Sequence, residues 1–135
     1  MTTSKIITSI MVLSGILLCQ CSREEINQSS ALPVRKIQFT LYTTKDFSNQ
    51  SDLITFKLVI KKSAAVLWDS TFAPMSLKDI PSASNKIVLT KSVPNNDPSL
   101  LKVGFEYEIK NVGISWHYDS IATNKTFKAV DFDFQ

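Results

Sequence analysis

The chemically capable side chains in this 135-residue chain are two thiols, one imidazole and a scatter of carboxylates. Both thiols, Cys19 and Cys21, close an apolar run near the N-terminus, so everything after them lacks a disulfide or a thiolate metal site. His117, the single histidine, lies between Trp116 and Tyr118 on the face that alternation leaves outward. A lone imidazole has no second ligand to make a metal site and no partnered Ser or Cys to activate. Glu106 and Glu108 share one outward strand face, but neither a cleft nor a partner equips them for acid–base work. No catalytic constellation emerges, and the expectation is a protein that is not an enzyme and needs no cofactor.

Binding chemistry has more candidates. Asp46, Asp52, Asp97 and Asp119 are expected in loops, where converging carboxylates could offer a calcium ion the six to eight oxygens it takes. Asp and Asn also populate loops simply because they make turns. Trp68, Trp116, His117, Tyr42 and Tyr118 could include a platform on which pyranose rings stack, although Trp68 and Trp116 have core parity.

The elements that must position these residues are strands. Ile37, Phe39 and Leu41 alternate with Gln38, Thr40 and Tyr42; Ile54, Phe56, Leu58 and Ile60 alternate with Thr55, Lys57, Val59 and Lys61. A third strand spans Ala65 to Phe72, with Val66, Trp68 and Phe72 on one face. Pro74 and Pro81 bound an irregular crossing between sheets, whose Met75, Leu77 and Ile80 would plug the end of the core. Ile87, Leu89 and Val93 mark a fourth strand, and the stretch from Pro94 to Pro98 is the strongest loop signal. Val103, Phe105, Tyr107 and Ile109 follow on one face. At Asn111 the parity flips, since the next apolar set is Val112, Ile114, Trp116 and Tyr118, which means a tight turn or a bulge in one long strand. Val130, Phe132 and Phe134 form the last strand.

This alternation points to an all-β fold, an antiparallel β-sandwich of six to seven strands, immunoglobulin-like or C2-like, with a small closed barrel as the alternative. The expected organisation is a signal segment over residues 1–20, a lipid-bearing Cys and flexible tether over 21–33, and the sandwich over 34–135. About 115 residues after the signal suffice for one domain. All 12 acidic residues and 14 of the 15 basic ones follow the signal, for a balance of +2 with the signs interspersed, so nothing marks a nucleic-acid surface.

Lys5 followed by the apolar run Ile6 to Leu18 has the length of a secretory h-region and is too short to cross a bilayer. The run ends Leu17-Leu18-Cys19-Gln20-Cys21-Ser22, which resembles the lipobox of bacterial lipoproteins. Counted back from Cys21, Leu18 stands at −3 and Gln20 at −1; counted back from Cys19, Ile16 stands at −3 and Leu18 at −1. The leucine at −3 and the polar chain from Ser22 favour Cys21, with Cys19 as the alternative. The resemblance implies a diacylglyceryl thioether on the sulfur and a further acyl chain on the freed amine, and two chains give stable anchoring. Ser22-Arg23-Glu24-Glu25 also looks like the acidic export signal of Bacteroidetes-type surface lipoproteins, with a solvated linker as the plain reading. Asp69-Ser70-Thr71 and Asp119-Ser120-Ile121 resemble the O-glycan acceptor motif of exported proteins of that type, which would make Ser70 and Ser120 acceptors.

The expected role is therefore a binding or accessory module of the cell envelope, held at the outer membrane by a lipid anchor and exposed on the surface. Its partner would be an envelope protein or a surface glycan and not a nucleic acid, and the alternative is a carbohydrate- or calcium-binding surface lipoprotein.

Overall fold

The computed structural model describes residues 33–95 and 99–135. The expected signal segment, Cys19, Cys21, the tether up to residue 32 and Asp97 lie outside the described residues.

Strands form where the sequence alternates. β1 (Val34–Tyr42), β2 (Leu53–Lys62), β3 (Ala65–Thr71), β4 (Met75–Ser76), β5 (Ile87–Pro94), β6 (Leu101–Ile109), β7 (Gly113–Ile121) and β8 (Phe127–Asp133) make two sheets. One sheet is ordered β5-β1-β8; the other is ordered β3-β2-β6-β7, with the two-residue β4 beside β2. The sheets pack face to face as a β-sandwich. Seven full strands and one short one compare with the six or seven expected. All pairings are antiparallel except β1 with β8, which runs parallel.

The core is built as alternation requires. Ile37, Phe39 and Leu41 from one sheet meet Ile54, Phe56, Leu58, Ile60, Val103 and Phe105 from the other, and each is essentially inaccessible to water. Phe39 and Phe105 meet edge-on with ring centroids 5.7 Å apart. Removing this area from water is the dominant stabilising contribution, at about 25 cal/mol per Å². A 3-10 turn, Leu77–Asp79, lies on the crossing between the sheets, and Leu77 and Ile80 close one end of the core.

Two local features change the expected faces. Between Ile60 and Lys61 the β2–β3 register shifts, pairing Ile60 with Trp68 but Lys61 with Val66. Leu67 is the extra residue of this bulge, so Val66 leaves the core face and is half exposed while Trp68 stays inward against Phe39. At Asn111 the chain makes a tight turn, not a bulge in one long strand. The Val112 N–H donates to the Ile109 carbonyl, Asn111 takes φ 65°, and Gly113 takes φ 142°. Asparagine and glycine are the residues that tolerate such angles.

The turn pairs Ile109 with Gly113, and thereafter Tyr107 with Ser115, Phe105 with His117 and Val103 with Asp119. Residues opposite one another share a face. From Ser115 to Asp119 the inward set of β7 is therefore polar, giving way only at the strand's end to the buried Ile121 opposite Leu101, while its apolar set, Ile114, Trp116 and Tyr118, faces out. This corrects the core parity expected of Trp116 and the outward parity expected of His117. The imidazole stacks on Phe132 at 4.8 Å, with the rings 9° from parallel, at the open side of the sandwich. Asp119 pairs there with Lys128, linking β7 to β8 across that side.

Candidate functional site

The outer face of the five-stranded sheet carries the best-organised cluster of polar and aromatic side chains. Four strands contribute one row each: Asp69 and Thr71 from β3; Thr55, Lys57, Val59 and Lys61 from β2; Lys102, Gly104, Glu106 and Glu108 from β6; Ile114, Trp116 and Tyr118 from β7. Register sets the neighbours. Lys57 lies opposite Glu106, which lies opposite Trp116; Thr55 lies opposite Glu108, which lies opposite Ile114.

Gly104 is the pivot of this face. A Cβ built there would stand 2.0 Å from the His117 carbonyl oxygen and 2.9 Å from the Tyr118 ring. Only glycine lets β7 approach β6 so closely and the Tyr118 ring lean across the gap. The phenol then reaches Glu106 and Lys61. Tyr118 donates to Glu106 Oε1, while Lys61 Nζ donates to the same oxygen at 2.5 Å and to the Tyr118 hydroxyl at 2.8 Å. Lys102 and Lys61 also stand 5.0 and 5.2 Å from the Tyr118 ring centroid. Lys57 pairs with Asp69 at 2.8 Å.

The electrostatics follow from these contacts. Hydrogen bonds from Lys61 and then Tyr118 hold the Glu106 carboxyl below its ordinary range. Bonding to Glu106 and then Tyr118 raises the Lys61 ammonium. Burial, followed by the bond to Glu106, raises the Tyr118 phenol. Every shift favours the state each group already holds at neutral pH. The triad is thus a fixed set of hydrogen-bonding groups, not a proton donor or acceptor poised near neutrality, which acid–base chemistry asks for.

Beside the triad, Thr55, Lys57, Thr71, Glu106, Glu108 and Ile114 line a shallow depression. Ile114, 70% exposed, is its apolar bank, and Trp116, 66% exposed, follows on the same row opposite Glu106. Glu108 is exposed at the rim of this depression.

The other sequence candidates are dispersed. Asp46 accepts the Ser48 N–H at 2.9 Å, a turn-making contact that lowers its carboxyl from the ordinary value. Asp46 and Asp52 precede β2, at the end of the sheet where Ile54 pairs with Ile109. Asp119 lies within a strand, not a loop, and pairs with Val103 near the opposite end. Six residues separate those levels, roughly 20 Å at strand rise, so the described aspartates do not converge. Among the described residues no group of three or more His, Cys, Asp or Glu side chains could hold a metal ion. Ser70 is half-buried and shares a face with the core residue Leu58, whereas Ser120 is exposed on the outer face opposite Lys102. Trp68 lies inside, half-buried, and Tyr42 belongs to the other sheet under the Lys86 ammonium at 4.1 Å.

Sequence reasoning passed over Arg35, which is 1% exposed and donates to Asn95 and to the Ser99 carbonyl, the latter at 2.6 Å. Its inward parity with Ile37 was the available signal, since a buried guanidinium must find acceptors. It also passed over Gly104, whose only mark was a glycine inside an otherwise regular strand. In comparisons with protein-family models, with curated proteins and with solved structures, nothing matches this chain.

Proposed function

We propose that this protein is a lipid-anchored, non-catalytic binding module of the cell envelope, tethered through Cys21 and binding through the β6–β7 side of its outer sheet face. The observation that carries the reading is the orientation of β7. It turns Ile114 and Trp116 to solvent on an edge strand, beside polar groups already fixed in hydrogen bonds. Large apolar side chains left out of a core this well filled cost nothing if a partner covers them, and grouped exposure of this kind marks interaction surfaces.

The sequence supplies the tether. Ser22 to Pro33 has a reach on the order of 40 Å, enough to carry the sandwich clear of the headgroups once acyl chains on Cys21 hold the membrane. The acidic run after Cys21 supports an outer-membrane address with the module on the surface.

Intact-mass spectrometry of the membrane fraction tests the anchor. A chain beginning at Cys21 with added acyl mass is expected. Cys21→Ala should abolish the modification, whereas Cys19→Ala should leave it. Loss of the lipid only on changing Cys19 would move the anchor to that residue, and a wild-type chain that is never acylated would end the lipoprotein reading. Isolation of the native protein with its bound envelope component tests the binding face, because Trp116→Ala should release that component while the chain stays anchored.

A further inference from the structure

We infer that the outer face at β6 and β7 binds a neutral polyhydroxylated ligand, a glycan, with a sugar ring stacked on Trp116. This deepens the proposal above and rests on its reading of that face as the binding surface. Trp116 presents its indole on the sheet surface, and Ile114 stands two residues away on the same row, about 7 Å along the strand. Together they offer a narrow apolar shelf. A pyranose has an apolar C–H face to lay on such a shelf and a rim of hydroxyls that must be paired. The adjoining depression supplies the pairing groups: Glu106 and Glu108 accept, Lys57 donates, and the Thr55 and Thr71 hydroxyls do either. Ion pairs to Asp69 and Lys61 already hold Lys57 and Glu106 in place, so less freedom is lost when a ligand docks.

Charge decides the ligand class. The charged strand residues of this face are Lys57, Lys61 and Lys102 against Asp69, Glu106 and Glu108, three positive and three negative, which sum to zero. A nucleic acid, an anionic lipid surface or a charged peptide would meet no field of one sign to attract it. A protein partner is also disfavoured. Protein interfaces need roughly 800 Å² per side with charges depleted at the centre, but here the shelf is one strand wide and ions border it directly. Alternating donors and acceptors with no net charge suit a ligand made of hydroxyls.

The test titrates the full-length chain, held in a detergent without a sugar headgroup, with cellohexaose, laminarihexaose, maltohexaose and mannohexaose. Trp68 is half-buried and Trp116 open to solvent, so a ring docking on the shelf changes tryptophan emission. At least one oligosaccharide should give a saturable change with half-saturation at millimolar concentration or below. By calorimetry, Trp116→Ala should weaken that binding at least tenfold and Ile114→Ser by less. Val88→Ser, on the outer face of the other sheet, should leave it unchanged. No saturation with any of the four, or unchanged affinity in Trp116→Ala, would overturn the inference. If no oligosaccharide binds but an envelope protein co-purifies with the wild type and not with Trp116→Ala, the glycan inference fails and the binding-face reading stands. If Trp116→Ala keeps every partner, both fail.

Discussion

β6 and β7 are the two arms of one hairpin and alternate with equal regularity, but along most of their length they turn opposite chemistry toward the second sheet. In β6 the apolar set faces the second sheet, and Val103 and Phe105 are fully buried. In β7 the apolar row Ile114, Trp116 and Tyr118 faces solvent, and the side toward the second sheet carries Ser115, His117 and Asp119 before it reaches the buried Ile121 at the strand's end. β6 is laddered on both sides and β7 on one only, yet the ladder they share is regular from the pair Leu101 and Ile121 to the pair Ile109 and Gly113. What differs is cover. The three-stranded sheet lies over β6, but β7 is an edge strand whose middle is met at its rim by Phe132 and Lys128 of β8, with Ile121 at its end reaching the core. An inward residue at that rim stays wet, which makes polar side chains affordable on the inner side of β7. Period two therefore reports that a strand has two unlike faces and leaves open which one is buried.

The sharpest way to break this comparison is to empty the same hairpin from either side. Phe105→Ala should cost about 3–5 kcal/mol, the range for vacating a buried aromatic site. Against a total of roughly 5–15 kcal/mol that would unfold a large share of the molecules. Chemical denaturation of the unit formed by residues 31–135 measures it, and a small loss would mean that β6 does not carry the core.

Next comes the join between the arms. Gly104→Ala places a methyl against the His117 backbone carbonyl and the Tyr118 ring. A loss of about 1–3 kcal/mol is expected, the usual penalty of overpacking. It should be accompanied by faster amide exchange across β6 and β7 and not across β1. Uniform exchange, or no loss, would show that the close approach is not what holds β7 in register.

A smaller effect is expected from the outer-face triad. Because Glu106 is held below its ordinary pKa, the unfolded chain binds the proton more readily. Its contribution is therefore present above the ordinary carboxylate range and fades as pH falls through the folded value. Lys61 and Tyr118 have raised values, so their contributions are present below their ordinary values near pH 10 and fade as pH rises past the folded ones. Side chains about a quarter exposed limit the ion pair to roughly 0.2–1 kcal/mol. The stability difference between wild type and Glu106→Gln should thus shrink between pH 6 and pH 3, read from denaturation midpoints; a constant difference would deny the triad its charge.

Trp116→Ala should be smallest of all, within about 0.5 kcal/mol, since the indole is already in water. A loss approaching that of Phe105 would return Trp116 to the core and reverse the assignment of faces.

Much of this fold was legible from alternation alone. The cores of β1, β2 and β6, the crossing that places Leu77 and Ile80 at the end of the sandwich, and the two-sheet architecture follow from apolar residues that must leave water together. The parity flip at Asn111 also announced a break, though only the backbone angles of Asn111 and Gly113 decided that it is a tight turn. The candidate site was legible only in its parts: Trp116, Tyr118 and Glu106 were visible as residue types, but the face they share was not. Three things were decided in three dimensions. An odd-length turn set which residues of β7 oppose β6, the bulge at Leu67 moved Val66 out of the core, and the width of the smaller sheet determined how far cover extends. Alternation is a property of one strand and its own pleat, whereas burial depends on a second sheet contributed by residues up to about a hundred positions away. Hence the sequence by itself determined that β7 has an apolar row, and only the packing of the two sheets decided that the row faces out.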